Sequence, residues 1–250
     1  MPPYAANWAW FLDIDGTLLE IEGHPDDVRI GRAELDLVSG LHRAAGGALA
    51  LVSGRPLAGI DVLFHPLRLP IAGQHGAERR DAEGRRHRHQ FPVEALQRAA
   101  VPVRKFVARN EGLVFEDKGA SVALHYRLAP QLQAAARQVV EQALQEAGGA
   151  LEMQVGKMVF EMKPAGVDKG GAIEQFMRDR PFSGRIPVFL GDDATDELGF
   201  RLVNRLGGHS IKVGEGETAA RWRLADPAAA RAWLGAWMQE LVGGRRTKVG

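Results

Sequence analysis

Three short apolar segments of the sequence, residues 9–12, 48–52 and 186–190, each stop abruptly at small or acidic residues. Their apolar character is continuous, which is typical of parallel strands that are covered on both faces. Apolar residues at helical spacing lie between them, over residues 32–45 and 169–179. Strand, helix and strand in succession form a βαβ unit, so we predict an open α/β core with a parallel sheet.

The polar turns after these three segments are where a ligand is expected. In an open α/β sheet, ligands bind outside the carboxyl ends of the strands. All three turns would lie at that edge of the sheet. The residues of the turns that can carry chemistry are therefore expected to meet in one site.

The stretch from residue 80 to residue 163 has a different pattern. It begins within a strongly polar segment, residues 79–89, with the composition of a hairpin tip or a domain junction. Residues 121–127 and 157–163 alternate between apolar and polar, and residues 130–147 show helical spacing. Alternation is typical of a mixed or antiparallel sheet with one solvated face. We predict a smaller α/β domain, residues 80–163, inserted into a core formed by residues 1–79 and 164–250.

Composition excludes several classes of function. The 250 residues include 32 Lys and Arg against 31 Asp and Glu, a net charge of +1, so no overall field favours nucleic acid or a membrane surface. No apolar run is long enough to span a bilayer, and the first residues lack the features of a secretory signal. Cysteine is absent, which excludes disulfides, thiolate metal sites and cysteine nucleophiles. We expect a cytoplasmic protein whose partner is a small molecule.

The most specific pattern is Asp13-Ile14-Asp15-Gly16-Thr17, directly after the first apolar segment. Two carboxylates one residue apart at a strand end can divide two tasks, if their surroundings separate their pKa values. One can bind a hard divalent cation and attack an electrophile, while the other donates a proton. Gly16 permits a sharp turn of the backbone, and Thr17 can cap the next segment. An Asx-type turn without chemistry is the alternative for these residues.

Four acids, Asp192, Asp193, Asp196 and Glu197, follow the third apolar segment within six residues. Unpaired carboxylates so close together repel one another, and a bound Mg²⁺ would relieve the repulsion. The same acids would suit the N-terminus of a helix, where the helix dipole favours them. We expect these acids to serve both a metal site and a helix N-terminus, with Asp192 turned towards a metal and with Asp196 and Glu197 in the first helical turn.

Two further turns offer groups that could hold a phosphate. Ser53 could donate a hydrogen bond to a phosphate oxygen at the end of its strand, and Gly54 would let backbone amides approach the same group. Lys169 precedes a helix and would bring an ammonium group near the helix N-terminus. Each signal is weak alone, because Ser-Gly turns and surface lysines are common, and gains weight only if the turns converge.

Together, the Asp-x-Asp-Gly-Thr pattern, Ser53-Gly54, Lys169 before a helix and Gly191-Asp192-Asp193 resemble the haloacid dehalogenase (HAD) superfamily of Mg²⁺-dependent phosphatases. Further segments narrow the resemblance to its trehalose-6-phosphate phosphatase family. These segments are residues 73–78, 116–118, 125–127, 161–164 and 191–197. The similarity extends from about residue 10 to about residue 216. It implies a doubly wound, Rossmann-like HAD core with a parallel sheet and an inserted α/β cap domain.

The resemblance implies a role for each residue of the core motifs. Asp13 attacks phosphorus and forms an aspartyl-phosphate, and Asp15 protonates the departing sugar oxygen and then activates the hydrolytic water. Ser53 and Lys169 hold the transferring phosphoryl oxygens. The implied Mg²⁺ ligands are the Asp13 carboxylate, the Asp15 carbonyl oxygen, Asp192 and, through water or a neighbouring contact, Asp193.

The cap domain would recognise the many hydroxyls of a disaccharide with side chains that donate and accept hydrogen bonds. Glu161 and Lys163 are two positions apart on a predicted strand and so point to one side of it, which favours a shared role. The expected substrate contacts are Gly54, Arg55, Gln74, His75, Glu116, Lys118, Arg127, Glu161 and Lys163. For each of these side chains, an ordinary exposed position on a strand is the alternative.

The resulting expectation is a monomeric, Mg²⁺-dependent phosphoric monoester hydrolase that converts trehalose 6-phosphate to trehalose and phosphate in trehalose biosynthesis. Two alternatives stay open. Phosphatases for other sugar phosphates, such as sucrose 6-phosphate, share the core motifs, so that only the cap and residues 73–78 discriminate between them. The other alternative is a non-catalytic domain that senses sugar phosphates, although a sensor needs no nucleophile paired with an acid.

Overall fold

The structure is a computed structural model that describes residues 1–22, 27–90 and 93–246. Along these residues the strands are β1 (Trp8–Leu12), β2 (Leu49–Val52), β3 (Ile71–Gly73), β4 (Glu78–Arg80), β5 (Arg86–Arg88), β6 (Val114–Asp117), β7 (Val122–His125), β8 (Leu151–Gly156), β9 (Val159–Pro164), β10 (Ile186–Gly191), β11 (His209–Val213) and β12 (Trp222–Leu224). The helices are α1 (Arg32–Ala44), α2 (Leu57–Leu63), α3 (Val93–Val107), α4 (Gln133–Glu146), α5 (Lys169–Arg178), α6 (Glu197–Arg205) and α7 (Pro227–Arg246). Parts of the predicted core and inserted segments, residues 23–26, 91–92 and 247–250, lie outside this description.

The large sheet has the strand order β12-β11-β10-β1-β2-β3-β4-β5. All pairs from β12 to β3 are parallel, as the continuous apolar segments predict. β1 lies inside the sheet, where Trp10 is in register with Val188 of β10 and Leu49 of β2. Helices pack on both faces of the parallel part, so the predicted doubly wound α/β core is confirmed.

Successive side chains of β1 enter two different hydrophobic cores. Trp8, Trp10 and Leu12 face the core formed with α1, α2 and α7, whereas Phe11 faces the core formed with α5 and α6. Trp10 packs edge-on against Trp237 of α7, with 4.9 Å between ring centroids. Burying a large apolar side chain contributes roughly 1.5–3 kcal/mol. β1 therefore joins both helical layers to the sheet and fixes the residues that directly follow it.

Antiparallel pairing of β3, β4 and β5 extends the parallel part of the large sheet. The polar segment predicted at residues 79–89 is thus a hairpin. Its turn is held by Asp81, whose carboxylate accepts hydrogen bonds from the backbone N–H groups of Glu83 and Arg85. β5 is the edge strand, and all three of its residues are exposed. The large sheet therefore includes residues that the sequence pattern predicted in the inserted domain.

The small sheet has the strand order β6-β7-β9-β8, and all its pairs are antiparallel. Helices α3 and α4 form a separate hydrophobic core with one of its faces. The expected solvent exposure of the other face is wrong at Ala123 of β7 and at Glu161 of β9, which are in register on that face and are buried. That second face is turned towards the large sheet, where Glu161 of β9 lies 3.5 Å from His75. The polar positions of the alternating pattern therefore line a cleft between the sheets.

The turns after β1, β2 and β10 leave the large sheet at its edge next to this cleft. No helix within the described ranges combines the length and the apolar character that crossing a bilayer requires.

Candidate active site

A cavity of about 590 Å³ lies between the large and the small sheet. The turns after β1, β2 and β10 and the start of α5 form its floor, and strands of the small sheet form its opposite wall. The structure therefore brings the three predicted polar turns together at one edge of the large sheet.

Asp13 follows β1 directly and is only 4% exposed. The Nζ atom of Lys169 lies 2.8 Å from Asp13 Oδ1 and 2.7 Å from Oδ1 of Asp196, which is fully buried. Asp168 caps α5 by accepting a hydrogen bond from the backbone N–H of Gly171 and so fixes Lys169 in the first turn. One ammonium group is therefore held between two buried carboxylates at the cavity floor.

Burial affects the acid and the base of this cluster in opposite directions. It raises the pKa of Asp13 to about 8, with Lys169 opposing the shift and the neighbouring Asp192 and Asp193 adding to it. Burial alone would lower the pKa of Lys169, but the carboxylates of Asp13 and Asp196 outweigh it and hold that pKa well above its usual value. Lys169 thus keeps its charge, and a further positive charge nearby would favour the ionised form of Asp13.

Asp196 organises the turn after β10. Its Oδ2 accepts hydrogen bonds from the backbone N–H groups of Asp192 and Asp193, at 2.9 and 3.1 Å. Asp193 caps the same turn, since its Oδ1 accepts from the backbone N–H and the hydroxyl of Thr195 at 2.8 and 2.6 Å. The sequence predicts Asp196 in a helical turn but does not predict its contact with Lys169. No sequence signal links the two residues, because 27 positions separate them.

Asp192 approaches Asp13 from this turn. Its Oδ1 lies 3.5 Å from the hydroxyl oxygen of Thr17, which is also 3.5 Å from Asp13 Oδ2. Gly16 has a φ of +79°, and a Cβ atom there would lie 2.1 Å from Asp192 Oδ2, so a side chain at this position would displace Asp192. Burial raises the pKa of Asp192 to about 7, and the charge of Asp193 adds to the shift. The fold therefore holds the carboxylates of Asp13 and Asp192 close together in a buried position, where repulsion between like charges is strong.

This arrangement fits a small divalent cation. Asp13, Asp192 and Asp196 each offer a carboxylate oxygen, and these oxygens lie within 4.8 Å of one another. Both oxygens of Asp196 already accept hydrogen bonds, which leaves Asp13 and Asp192 as the better ligands. Mg²⁺ prefers oxygen ligands and often uses only one or two carboxylates. Ligation by the Asp15 carbonyl and by Asp193 stays a prediction.

Asp15 forms a two-point ion pair with Arg55. The Nε–Oδ2 distance is 2.6 Å and the Nη2–Oδ1 distance is 2.7 Å. The backbone N–H of Arg55 donates to Ser53 Oγ at 3.1 Å, and the loop of Ser53, Gly54 and Arg55 faces the cavity. The sequence predicts Arg55 as a substrate contact but does not predict this pairing, because 40 positions separate the two residues.

On the opposite wall, Glu161 is the centre of a polar cluster. Its carboxylate accepts hydrogen bonds from Lys118 Nζ at 2.8 Å and Ser121 Oγ at 2.5 Å, and it lies 3.5 Å from His75 Nε2. Burial would raise the pKa of Glu161, but Lys118 and His75 outweigh it and hold that pKa well below its usual value. Burial would lower the pKa of Lys118, and Glu161 reverses that effect. Both partners therefore stay charged beside the cavity.

Most of the predicted substrate contacts line the cavity. Glu116 accepts a hydrogen bond from His125, with 2.8 Å between Oε2 and Nε2, and the half-buried pair forms part of the wall. Arg127 is exposed and forms the rim. The predicted contacts found at the cavity wall are Gly54, Arg55, His75, Glu116, Lys118, Arg127 and Glu161.

Two predicted substrate contacts do not belong to the cavity wall. Lys163 is paired in register with Glu152 of β8, and its ammonium group donates to that carboxylate and to the carbonyl of Val167. It therefore stabilises the end of β9 and the chain that returns to the large sheet. Gln74 is turned away from the cavity and accepts a hydrogen bond from the backbone N–H of Ala120 at 2.8 Å.

A family model described as trehalose-phosphatase matches residues 11–228 of the chain. The trehalose-6-phosphate phosphatase of Escherichia coli K12 is 46% identical over 233 residues, which cover 93% of this chain and 87% of that one. A solved trehalose-6-phosphate phosphatase related protein superposes with a TM-score of 0.79 at 30% identity, covering 95% of this chain and 99% of that one. A HAD-superfamily phosphatase from Bacteroides thetaiotaomicron shares the fold, with a TM-score of 0.63 at 14% identity over 95% and 98% of the two chains.

These matches confirm the resemblance stated from the sequence and the predicted HAD fold with a cap. They also confirm the predicted enzyme class, a phosphoric monoester hydrolase. The chain belongs to the trehalose-phosphatase family.

Proposed function

We propose that this chain is a Mg²⁺-dependent phosphatase that hydrolyses trehalose 6-phosphate to trehalose and inorganic phosphate through an aspartyl-phosphate on Asp13. The observation that carries the proposal is the pair of carboxylates at the cavity floor. Lys169 contacts Asp13, and Arg55 contacts Asp15, which follows Asp13 by two positions in the same turn. The family match and the Escherichia coli relative support trehalose 6-phosphate as the substrate.

In the first step, a carboxylate oxygen of Asp13 attacks phosphorus, and the bond between phosphorus and the sugar oxygen breaks. Asp15 acts as the general acid and gives a proton to that oxygen, so that trehalose leaves as a neutral alcohol. Lys169 and Ser53 hold the phosphoryl oxygens, and the ammonium charge offsets negative charge on the transferring group. Because Lys169 lies between two carboxylates, its ammonium group is already in position before the substrate binds.

In the second step, a water molecule attacks the phosphorus of the aspartyl-phosphate, and the bond to the Asp13 oxygen breaks. Asp15, now ionised, takes a proton from that water. Arg55 contacts both oxygens of Asp15 and stabilises its ionised form between the two steps. Inorganic phosphate then leaves, and the two carboxyl groups have regained their starting protonation.

The carboxylates of Asp13 and Asp192 would hold the Mg²⁺, with the Asp15 carbonyl oxygen and Asp193 as further ligands. When bound, the cation supplies positive charge that favours the ionised form of Asp13 and offsets the charge of the phosphate. Gly16 makes this arrangement possible, because it leaves Asp192 the space to approach Asp13.

The small sheet supports a substrate with many hydroxyl groups. Glu116, Lys118 and Glu161 are charged, line the cavity opposite the carboxylate pair and can donate or accept hydrogen bonds. Hydrogen bonds to charged groups are roughly twice as strong as those between neutral groups. A sugar attached to the transferring phosphate would face this wall.

A phosphate-release assay over trehalose 6-phosphate, sucrose 6-phosphate and glucose 6-phosphate tests the proposal. We expect the fastest turnover with trehalose 6-phosphate, no turnover without Mg²⁺ and none with Asp13→Asn. Comparable turnover of glucose 6-phosphate would reject the substrate, and activity retained by Asp13→Asn would reject the nucleophile. Binding of a sugar phosphate without any release of phosphate would favour the sensor alternative.

A further inference from the structure

Gln74 and His75, in the short turn between β3 and β4, have an unusual backbone conformation. Their φ angles are +48° and +59°, in the left-handed region that residues with side chains rarely adopt. Both residues are only 5% exposed. Strained backbone of this kind persists where the surrounding structure holds it, and it clusters at functional sites. The contacts that hold this turn therefore point to its role.

Towards the large sheet, the turn contacts the loop of Ser53, Gly54 and Arg55 that faces the phosphate in the proposed mechanism. The backbone N–H of Gln74 donates to the Arg55 carbonyl, and that of His75 donates to the Ser53 carbonyl, both at 2.9 Å. The imidazole lies against Gly54, where a Cβ atom would come within 2.7 Å of the ring. The left-handed turn thus fixes the position of the whole loop.

Towards the small sheet, the same two residues contact three separate segments. The Gln74 side chain accepts from the backbone N–H of Ala120 at 2.8 Å. The imidazole of His75 lies 3.0 Å from Gln154 Nε2, and its Nε2 lies 3.5 Å from Glu161 Oε2. Glu161 is the residue that holds Lys118 in the proposed sugar-binding wall. A single turn therefore contacts both halves of the cavity.

A direct contact with substrate does not explain Gln74. Its side chain is buried outside the cavity wall, and both ends of its amide bind protein, with Nε2 donating to Glu78 at 3.1 Å. Glu78 in turn accepts from the backbone N–H of Leu57 at 2.6 Å, at the start of α2. Gln74 thus connects the small sheet to the large sheet without reaching the ligand.

We infer that the Gln74–His75 turn is a positioning element that couples the sugar-facing small sheet to the phosphate-facing loop of Ser53, Gly54 and Arg55. This inference rests on the proposed function for the identity of the substrate. A substrate that contacts both sheets depends on their relative position, whereas a small aryl phosphate depends on the phosphate loop alone. The turn therefore contributes to specificity by holding two surfaces that each recognise one part of the sugar phosphate.

The test uses Gln74→Met, which removes the side-chain contact of the turn with Ala120 and alters no residue of the cavity wall. We expect kcat/KM for trehalose 6-phosphate to fall about tenfold, within the 5- to 150-fold range typical of coupling between sites, and kcat/KM for p-nitrophenyl phosphate to change less than about twofold. Arg79→Met is the matched control, because Arg79 is buried next to the turn but bonds to Gln175 of α5.

Three results would reject the coupling. They are equal losses on both substrates, no loss on either, and a loss with Arg79→Met that has the same substrate dependence as that of Gln74→Met.

A second measurement does not depend on which sugar the enzyme uses. Orthovanadate with Mg²⁺ is a probe for the phosphate loop, and hydrogen exchange reports on backbone amides of the small sheet. In the unaltered protein, we expect vanadate to slow exchange in β7 and β9, and we expect Gln74→Met to remove that effect. Unaltered protection in the variant would reject the coupling. Failure to hydrolyse trehalose 6-phosphate would reject the proposed function and leave this test intact.

Discussion

The ammonium group of Lys169 contacts two buried carboxylates, those of Asp13 and Asp196. Asp196→Asn leaves one acceptor oxygen in place of two, so either Lys169 or the backbone N–H groups of Asp192 and Asp193 lose their acceptor. A buried group left without its hydrogen-bond partner costs about 1–3 kcal/mol. We therefore expect Asp196→Asn to lower the free energy of unfolding by roughly 2 kcal/mol and to slow turnover. Denaturant unfolding and phosphate release measure the two effects.

Glu197→Gln is the control for this prediction. Glu197 is the next acid in the chain, and its carboxylate accepts a hydrogen bond from the backbone N–H of Ala219 at 2.8 Å. An amide oxygen can accept the same bond, so we expect little change in stability. A loss as large as that of Asp196→Asn would show that the general loss of negative charge, and not the buried pair, is responsible.

A second prediction at this scale concerns Glu161, which holds Lys118 and Ser121 beside the cavity. Hydrogen bonds to charged groups contribute about 1.5–3 kcal/mol, so we expect Glu161→Gln to lower kcat/KM for trehalose 6-phosphate by about 10- to 150-fold. Turnover of p-nitrophenyl phosphate should stay nearly unchanged. Glu152→Gln, in the adjacent strand but outside the cavity wall, is the control. Equal losses on the two substrates would indicate that Glu161 supports the fold.

Among single residues, the motifs predicted the positions of Asp13, Asp15 and Lys169 but not their partners. Motif residues follow strand ends, and parallel strands end at one edge, so sequence spacing is enough to place them together. Which side chain pairs with which depends on side-chain conformations across distant segments, as with Asp15 and Arg55. The pairing of Asp196 with Lys169 was not predicted for the same reason, because it needs both turns in place.

At the scale of elements, continuous apolar segments predicted β1, β2 and β10 of the large sheet, and alternation predicted β7 and β9 of the small sheet. The prediction of a solvated face was wrong, because the pattern records only which side of a strand is polar. In β7 and β9 that side faces a cavity lined by charges. Alternation cannot distinguish bulk water from an enclosed polar site, and Ala123 and Glu161 are buried for this reason.

The β4–β5 hairpin provides a prediction on pH. Burial would raise the pKa of Asp81, but hydrogen bonds from His87 and Arg85 outweigh it and hold that pKa well below its usual 3.8. A lowered pKa in the folded state stabilises the protein above about pH 3.8, and the contribution is lost as pH falls further. We therefore expect Asp81→Asn to lower Tm at pH 7 and the difference from the unaltered protein to shrink between about pH 4 and pH 2.

Thermal unfolding over this pH range measures the difference. Asp226→Asn is the control, since this exposed carboxylate accepts a hydrogen bond from the backbone N–H of Ala229. A Tm difference for Asp81→Asn that persists unchanged to pH 2 would contradict the assignment.

At the scale of the whole molecule, the cavity floor concentrates negative charge in a chain whose net charge is only +1. The carboxylates of Asp13 and Asp192 lie close together there and repel each other. Bound Mg²⁺ would relieve this repulsion, so we expect it to raise Tm as well as activity. Binding at a concentration of about 100 times Kd stabilises a folded protein by about 2.7 kcal/mol. Chelation should lower Tm and abolish phosphate release, and added Mg²⁺ should restore both.

Asp192→Asn tests whether the stabilisation arises at this site. The variant removes one of the two proposed ligands and relieves part of the repulsion with Asp13. We expect it to lose most of the Mg²⁺-dependent rise in Tm and to be at least as stable as the unaltered protein after chelation. A rise in Tm of the same size in the variant would place the cation elsewhere.

The large sheet ends at β5, whose Arg86, His87 and Arg88 are all exposed. An edge strand presents backbone donors and acceptors on its open side, and a strand of another molecule could pair with them. Two copies that approached edge to edge would bring clusters of like charge together, and the repulsion opposes continuation of the sheet from one molecule to the next. These three side chains therefore protect the protein against polymerisation at high concentration, and apolar β-formers in their place would create an aggregation site.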